Sequence, residues 1–429
     1  MKKVLIISYF FPPCTLTAAQ RTGSWASELH KNGYYPIVIS RRWNHPLKSL
    51  KDCSIPSKGD VLHEKNDRFE SYHLPYKGNM RDRMLTKYGE GKFSMFRRML
   101  TLLELILQPL FLSIIPFHNM YKQAEKVLKE NPEIEKVVIS GNLFIQFRFG
   151  YLLQKKFAVK WVADYRDAWT TSEINQLERS KLFSLLEPYE QYFEKKWVGS
   201  ASKITSVSKP LADGISELVG VGNEVLYNGF VAKDFEVAEN RVPFEDFTIT
   251  YIGTLYEGQD VGLFCNALKR FIDVHSGSRV KFLLPGLAIN PVQRKRIENL
   301  LEGYEQYFEC TERIPKKEVL EIELRSHLLL HVAWKGFKGI VASKIYEYLA
   351  SGTTILVTPG DDGSIDEIIK ASECGKVANS EEEILAVLEE LYEEFLKGNK
   401  IVNNIEHPRV QQYARSEQTK KLSEILDNL

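Results

Sequence analysis

The sequence predicts an α/β protein built as two Rossmann-like, doubly wound domains, and three observations predict it. Continuous apolar, β-branched runs recur along the chain with helix-length intervals between them, the pattern of parallel strands buried on both faces. The alternation stops in a polar stretch, residues 231–246, and then starts again. At 429 residues the chain is long for one core and suits two.

The first series of strands is KVLIIS (3–8), PIVIS (36–40), KVVIS (136–140), VKWVA (159–163) and KITSV (203–207), closed by NEVLYNGF (223–230). A first domain over residues 1–230 follows, with 231–246 as linker. The second series is FTITYIG (247–253), RVKFLLPG (279–286), HLLLHVAW (327–334) and TTILVTPG (353–360), which predicts a second domain over 247–407. The remaining segment, 408–429, reads as a C-terminal helix able to pack back on the first domain. Two such domains on a short linker would face each other across a cleft at the carboxyl ends of their sheets, where open sheets bind ligands.

Composition excludes several function classes. A formal net charge of +1 gives no reason to expect nucleic acid as a partner. The five cysteines, at 14, 53, 265, 310 and 374, are odd in number and scattered, so neither a disulfide framework nor a Cys-x-x-Cys metal site is supported, and a reducing cytoplasm fits. The opening MKKVLIISYFFPP breaks at Pro12 without a small-residue cleavage site, so it reads as a buried strand rather than a signal peptide. The most membrane-like stretch, 97–117, is interrupted by Glu104, Gln108, Pro109 and Pro116 and does not read as a spanning helix. Residues 92–117 carry Lys92, Arg97 and Arg98 beside large apolar side chains. They suit either a buried helix pair or a peripheral segment at the inner face of the cell membrane, approaching anionic lipid and receiving a lipid-linked acceptor.

The turn after the first strand, FFPPCTLTAAQR, lacks the glycines of a dinucleotide fingerprint, and the second strand ends in Arg41 and Arg42 rather than an acidic residue. NAD is therefore not expected. Thr15, Thr17 and Arg21 on that turn either wall a ligand cleft or belong to a packing turn with Arg21 in a surface ion pair. The sharper signal is GIVASKIYEYLASGTTILV, residues 339–357. Ser343 is expected to cap a short helix that Gly352 ends, so that free backbone N–H groups and Lys344 together form an anion site suited to a diphosphate. Glu347, three residues on, shares that helix face and either reaches a ribose diol or points into solvent. GDDG (360–363) imitates a cation-binding pair but reads as a turn, and His327 and His331 bracket an apolar strand as core histidines, so no metal or other cofactor is expected.

Taken in order, VLIISYFFPP, WVADYRDAW (161–169), ITSVSKPLADGI (204–215), VLYNGF (225–230), ITYIGTLYEGQD (249–260) and KIYEYLASG (344–352) resemble bacterial family 4 glycosyltransferases of the GT-B fold. The resemblance implies a retaining, metal-independent glycosyltransferase whose donor is a nucleotide-sugar and whose acceptor is a glycan or lipid-linked glycan, in surface polysaccharide biosynthesis. It places Gly253, Thr254, Ser343, Lys344 and Glu347 at the donor, with Glu347 on the ribose and Lys344 on the diphosphate. Asp164 falls beside the reacting sugar, supported by Arg166 and Asp167, so Asp164 and Lys344 are the expected catalytic residues. Several positions depart from the family. Gly339 stands where many relatives carry a second glutamate, and GTLYEGQDVG lacks the usual arginine and lysine, leaving Lys335 or Lys338 as substitutes. A GT-B sugar-nucleotide epimerase and a catalytically silent sugar-nucleotide-binding protein are the alternative readings.

Overall fold

The structure is a computed structural model that describes residues 1–429 apart from 45, 46, 48, 49, 142, 173–180, 239, 240, 276 and 278. It divides into two units: Met1–Tyr227 with Gln418–Leu429, and Asn228–Glu417.

In the first unit the apolar runs form β1 (Lys2–Ser8), β2 (Tyr34–Arg41), β5 (Lys136–Gly141), β6 (Lys160–Tyr165), β7 (Lys203–Ser206) and β8 (Asn223–Val225). Two further strands, β3 (Leu62–Lys65) and β4 (Glu70–Leu74), complete a sheet of order β3-β4-β2-β1-β5-β6-β7-β8. Every pairing is parallel except β3 with β4. That antiparallel edge departs from the all-parallel expectation. Its cause is visible in the residues: Leu62–Lys65 is exposed throughout and polar, so it carries no apolar run, and it shields β4 as a short charged edge. Val4 to Ile7 and Val137 to Ile139 are fully buried because helices cover both faces of these strands. Leu422, Ile425 and Leu426 of the C-terminal helix (Arg415–Asp427) fill the same core cluster as Val4, Ile6 and Val38.

The second unit holds β9 (Phe247–Thr250), β10 (Val280–Pro285), β11 (Phe308–Thr311), β12 (Leu328–His331), β13 (Ile355–Val357) and β14 (Gly375–Val377). Their order is β11-β10-β9-β12-β13-β14, all parallel, the dinucleotide-fold order in which the strand sequence reverses between β9 and β12. β11 and β14 were not expected from the sequence, being three or four residues long with little apolar content. The polar stretch 231–246 lies with the second unit, and Ala232–Val237 forms 3-10 turns there. In the first unit the corresponding reversal lies between β1 and β5. These two switch points are where an open sheet receives a ligand; Gly253 and Thr254 follow β9 and Thr15 follows β1, whereas Thr17, Arg21, Lys344 and Glu347 lie on helices and Asp164 lies within β6.

Candidate functional site

In the second unit, Tyr251 to Thr254 leave β9 at its carboxyl end. Gly253 takes φ +90°, a left-handed turn that costs a glycine nothing, and its N–H donates to the Pro285 carbonyl at 2.9 Å. The helix Lys344–Ser351 grips the preceding peptide from both sides. Lys344 Nζ donates to the Ile252 carbonyl at 3.2 Å, while the Ile252 N–H donates to the Tyr348 hydroxyl at 2.9 Å. The Lys344 ammonium also sits 3.7 Å from the centroid of the Tyr251 ring. A carbonyl and a ring face replace water without supplying a negative charge, and this desolvation pulls the Lys344 pKa down to about 7. Gly253, Thr254 and Lys344 are thereby brought together, with Thr254 exposed.

The helix does not start as expected. Ser343 is already in the right-handed helical region (φ −59°, ψ −28°), and its side chain accepts no capping hydrogen bond. A cap needs an extended residue whose side chain can reach back over the first turn, and Ser343 instead accepts the Tyr346 N–H on its carbonyl at 3.2 Å. Gly352 ends the helix with φ +70°. Glu347 stands one turn beyond Lys344, its side chain about 31% exposed and 3.9 Å from Lys316 Nζ. Burial raises its pKa, an effect that Lys316 and Arg415 oppose. Lys316 also pairs with Asp234.

Sequence reasoning missed Tyr251 and Tyr348, which continue ordinary apolar patterns, and Lys316, which lies on a separate helix (Lys316–Arg325). It also missed Glu323 on that helix: fully buried, with neither carboxylate oxygen hydrogen-bonded, its pKa pushed well above the usual carboxylate range by desolvation and by nearby Glu347. The GDDG loop is a helix start. Asp361 is buried and accepts from the N–H groups of Gly363 (2.9 Å), Ile365 (3.1 Å) and Asp366 (3.2 Å). A side chain on Gly363 would collide with the Lys338 backbone, whose carbonyl receives the Ser364 N–H at 2.9 Å. The loop carrying Lys335 and Lys338, both exposed, is thus pinned to this turn. His327 and His331 are buried, and desolvation lowers their pKa values to about 4 and about 3, which keeps them neutral.

The first unit gathers its candidates around β1 and β6. Thr15 and Thr17 are exposed, Thr17 opening the helix Thr17–Glu28. Gly23 of that helix lets Pro12 pack against it, since a side chain there would meet the Pro12 ring at 2.9 Å. The glycine absent from the turn is replaced by one in the helix behind it. Arg21 is neither a cleft wall nor a surface ion-pair partner. It is buried, donating to Asp164 Oδ1 at 2.6 Å and to the Leu226 carbonyl at 2.6 Å. Asp164 is likewise fully buried, its oxygens also accepting from Thr205 Oγ1 (2.8 Å) and Ser140 Oγ (3.0 Å). Three donors occupy most of the acceptor capacity of this carboxylate. Arg166 is buried and donates to the Ala18 carbonyl at 2.7 Å, tying the loop after β6 to the first turn of the helix Thr17–Glu28. Burial and neighbouring Arg21 pull its pKa to about 10, so it stays charged at neutral pH. Asp167 is exposed.

No protein-family model and no curated protein matches the chain. Solved structures do. It is similar to sucrose-phosphate synthase from Thermosynechococcus elongatus at 13% identity and TM-score 0.63, covering 100% of this chain and 99% of that one. A glycosyltransferase from Rickettsia africae matches at 14% identity and TM-score 0.62, with 99% and 98% covered. Anabaena HepE in complex with UDP matches at 12% identity and TM-score 0.57, with both chains fully covered. At such identities the likeness speaks for architecture alone, and with one wholly and one largely parallel sheet it establishes that the chain has the GT-B fold.

Proposed function

We propose that the protein is a glycosyltransferase that moves a sugar from a nucleotide-sugar to a glycan or lipid-linked glycan, at the cytoplasmic face of the membrane in surface polysaccharide assembly. The observation that carries this reading is Lys344: an amine held at a sheet switch point by a carbonyl and a ring, desolvated, and with no acidic side chain among the described residues paired to it. In this reading Lys344 and the backbone N–H groups around Ser343 take the diphosphate, Gly253 and Thr254 line its approach, and Glu347 binds the ribose. Transfer proceeds with retention and without a metal, because a cation and helix-end amides stabilise the departing phosphate as the sugar gains oxocarbenium character. Thr15, Thr17 and Asp167 form the open acceptor side. Asp164, Arg21 and Arg166 hold that side in shape from beneath. The UDP seen with HepE makes a uridine donor the first candidate.

Gly339 favours a second reading, a catalytically silent sugar-nucleotide-binding protein, since it supplies no carboxylate to the sugar's hydroxyls. A thermal-shift panel of UDP, GDP, CDP and ADP with their sugars, each with EDTA and with magnesium, tests donor binding. A ligand at a hundred times its dissociation constant stabilises the fold by about 2.7 kcal/mol. The expected result is a selective shift that survives EDTA and is lost in Glu347→Ala. Absence of any shift rejects the donor site, and a shift without sugar transfer to any glycan acceptor supports the silent binder.

A further inference from the structure

The helix Ser94–Leu107 of the first unit is mounted the wrong way round for a water-exposed helix. At 100° per residue, Met95, Phe96, Met99 and Leu103 fall within an arc of roughly 100°, and Thr101 and Glu104 lie on the opposite side. A surface helix buries the first set and exposes the second. Here the polar side makes the attachments: Asn79 Nδ2 donates to Glu104 Oε1 at 2.6 Å, Arg81 reaches Thr101 Oγ1 at 3.4 Å and Glu104 Oε2 at 3.5 Å, and Glu104 is desolvated enough for its pKa to rise. The apolar side faces outward, with Met95 85%, Met99 47%, Leu103 43% and Phe96 37% exposed, and no residue of the helix is buried. Phe93, Leu110 and Phe111, each at least half exposed, extend the patch at both ends.

The surroundings are basic. Residues 77–111 hold seven lysines and arginines against three acidic residues, and Arg83, Lys87, Lys92 and Arg98 are exposed. Two of the three acids are turned inward: Asp82 is buried, and Glu104 faces Asn79 and Arg81. The helix is fixed in place, since the Gln108 carbonyl accepts from Arg148 and the Ile106 carbonyl accepts from Tyr189 at 2.6 Å. No helix of the described residues is long and apolar enough to cross a membrane.

We propose that this face docks the protein on an anionic lipid bilayer, with Met95, Phe96, Met99, Leu103 and Phe111 in the headgroup region and Arg83, Lys87, Lys92 and Arg98 on the lipid phosphates. Outward apolar side chains ringed by cations match the two halves of such a surface, whereas a second copy of the same basic patch would repel. The segment begins where β4 ends, at the carboxyl edge of the sheet that also carries Thr15, Thr17 and Asp167. Docking here therefore presents that edge to a lipid-linked acceptor, which rests on the transferase reading above, although lipid binding itself does not.

Flotation of the full chain with phosphatidylcholine vesicles, with and without phosphatidylglycerol, tests the proposal. The wild type is expected to float with the anionic vesicles only. Lys92→Glu/Arg98→Glu is expected to lower the vesicle affinity tenfold or more, at roughly fivefold for each cation near the surface, and Met95→Ser/Met99→Ser to lower it by removing apolar contact. Equal flotation on neutral vesicles, insensitivity to both double variants, or failure of the wild type to float overturns the proposal. A dimer in light scattering that Met95→Ser/Met99→Ser dissolves assigns the face to a second copy instead. The nucleotide-sugar thermal shift on the same variants separates the two readings: flotation with no donor shift removes the transferase, and a donor shift with no flotation removes the membrane surface.

Discussion

Lys344 gives the donor reading a measurable pH signature. Its pKa in the free protein is about 7, and a bound diphosphate raises it, so binding takes up a proton wherever the free lysine is neutral. The affinity for a nucleotide-sugar, whose pyrophosphate diester does not titrate in this range, is expected to be flat below about pH 7. Above it the dissociation constant should rise by nearly tenfold per pH unit, read by calorimetric titration. Lys344→Arg stays charged and should flatten the profile, while a flat wild-type profile would remove Lys344 from the diphosphate. Asp164 belongs to a different kind of chemistry. Its pairing with Arg21 is sealed from water, so Asp164→Ala should cost about 3–5 kcal/mol in denaturant unfolding by stranding the arginine charge. Arg21→Met combined with Asp164→Leu should recover much of that loss. If Asp164→Ala unfolds like wild type and loses only turnover, Asp164 meets substrate after all.

Among elements, the legible ones are those whose physics is local. Central strands announce themselves as apolar runs because both faces are covered, and the Lys344-to-Glu347 spacing sets both residues on one helix face by periodicity alone. Edge strands β3, β11 and β14 were silent, since a strand covered on one side or neither needs no apolar run, and the interior strand β4 was silent too because ESYHL interleaves polar with apolar residues. The Arg21–Asp164 pair joins residues 143 positions apart, and nothing in either neighbourhood marks the other. The stretch holding the helix Ser94–Leu107 was legible as basic residues beside large apolar ones, but which face turns outward depends on Asn79 and Arg81, residues of another segment. Packing of the helices Lys316–Arg325 and Lys344–Ser351 carries a prediction of its own, through Glu323. An unfolded glutamate ionises near pH 4.3, whereas the folded chain holds the Glu323 proton well beyond that, so the folded state binds more protons as pH rises and stability falls, by up to about 1.4 kcal/mol per pH unit. Glu323→Gln should remove that slope, and the gain in its melting midpoint over wild type should be larger at pH ~8 than at pH ~5. Equal midpoint differences at both pH values would mean that the carboxyl is already ionised in the fold.

At the scale of the whole chain, two α/β units were readable from the alternation of runs, but the points of passage between them were not. The chain leaves the first unit after Tyr227 and returns at Gln418, and neither place has a linker's composition. Tyr227 donates its N–H to the Gln418 side chain at 2.8 Å, and Phe230 bridges Ala414 within the second unit, so outgoing and returning strands run side by side. The second unit is in effect an insertion, and this has a consequence for biosynthesis. A ribosome releases the chain from its N-terminus, so the first sheet emerges early while Val4, Ile6 and Val38 wait for Leu422, Ile425 and Leu426 to cover them. That core is therefore sealed only after the whole second unit has been made, and it stays open to chaperones, or to premature association, until residues 418–429 have emerged.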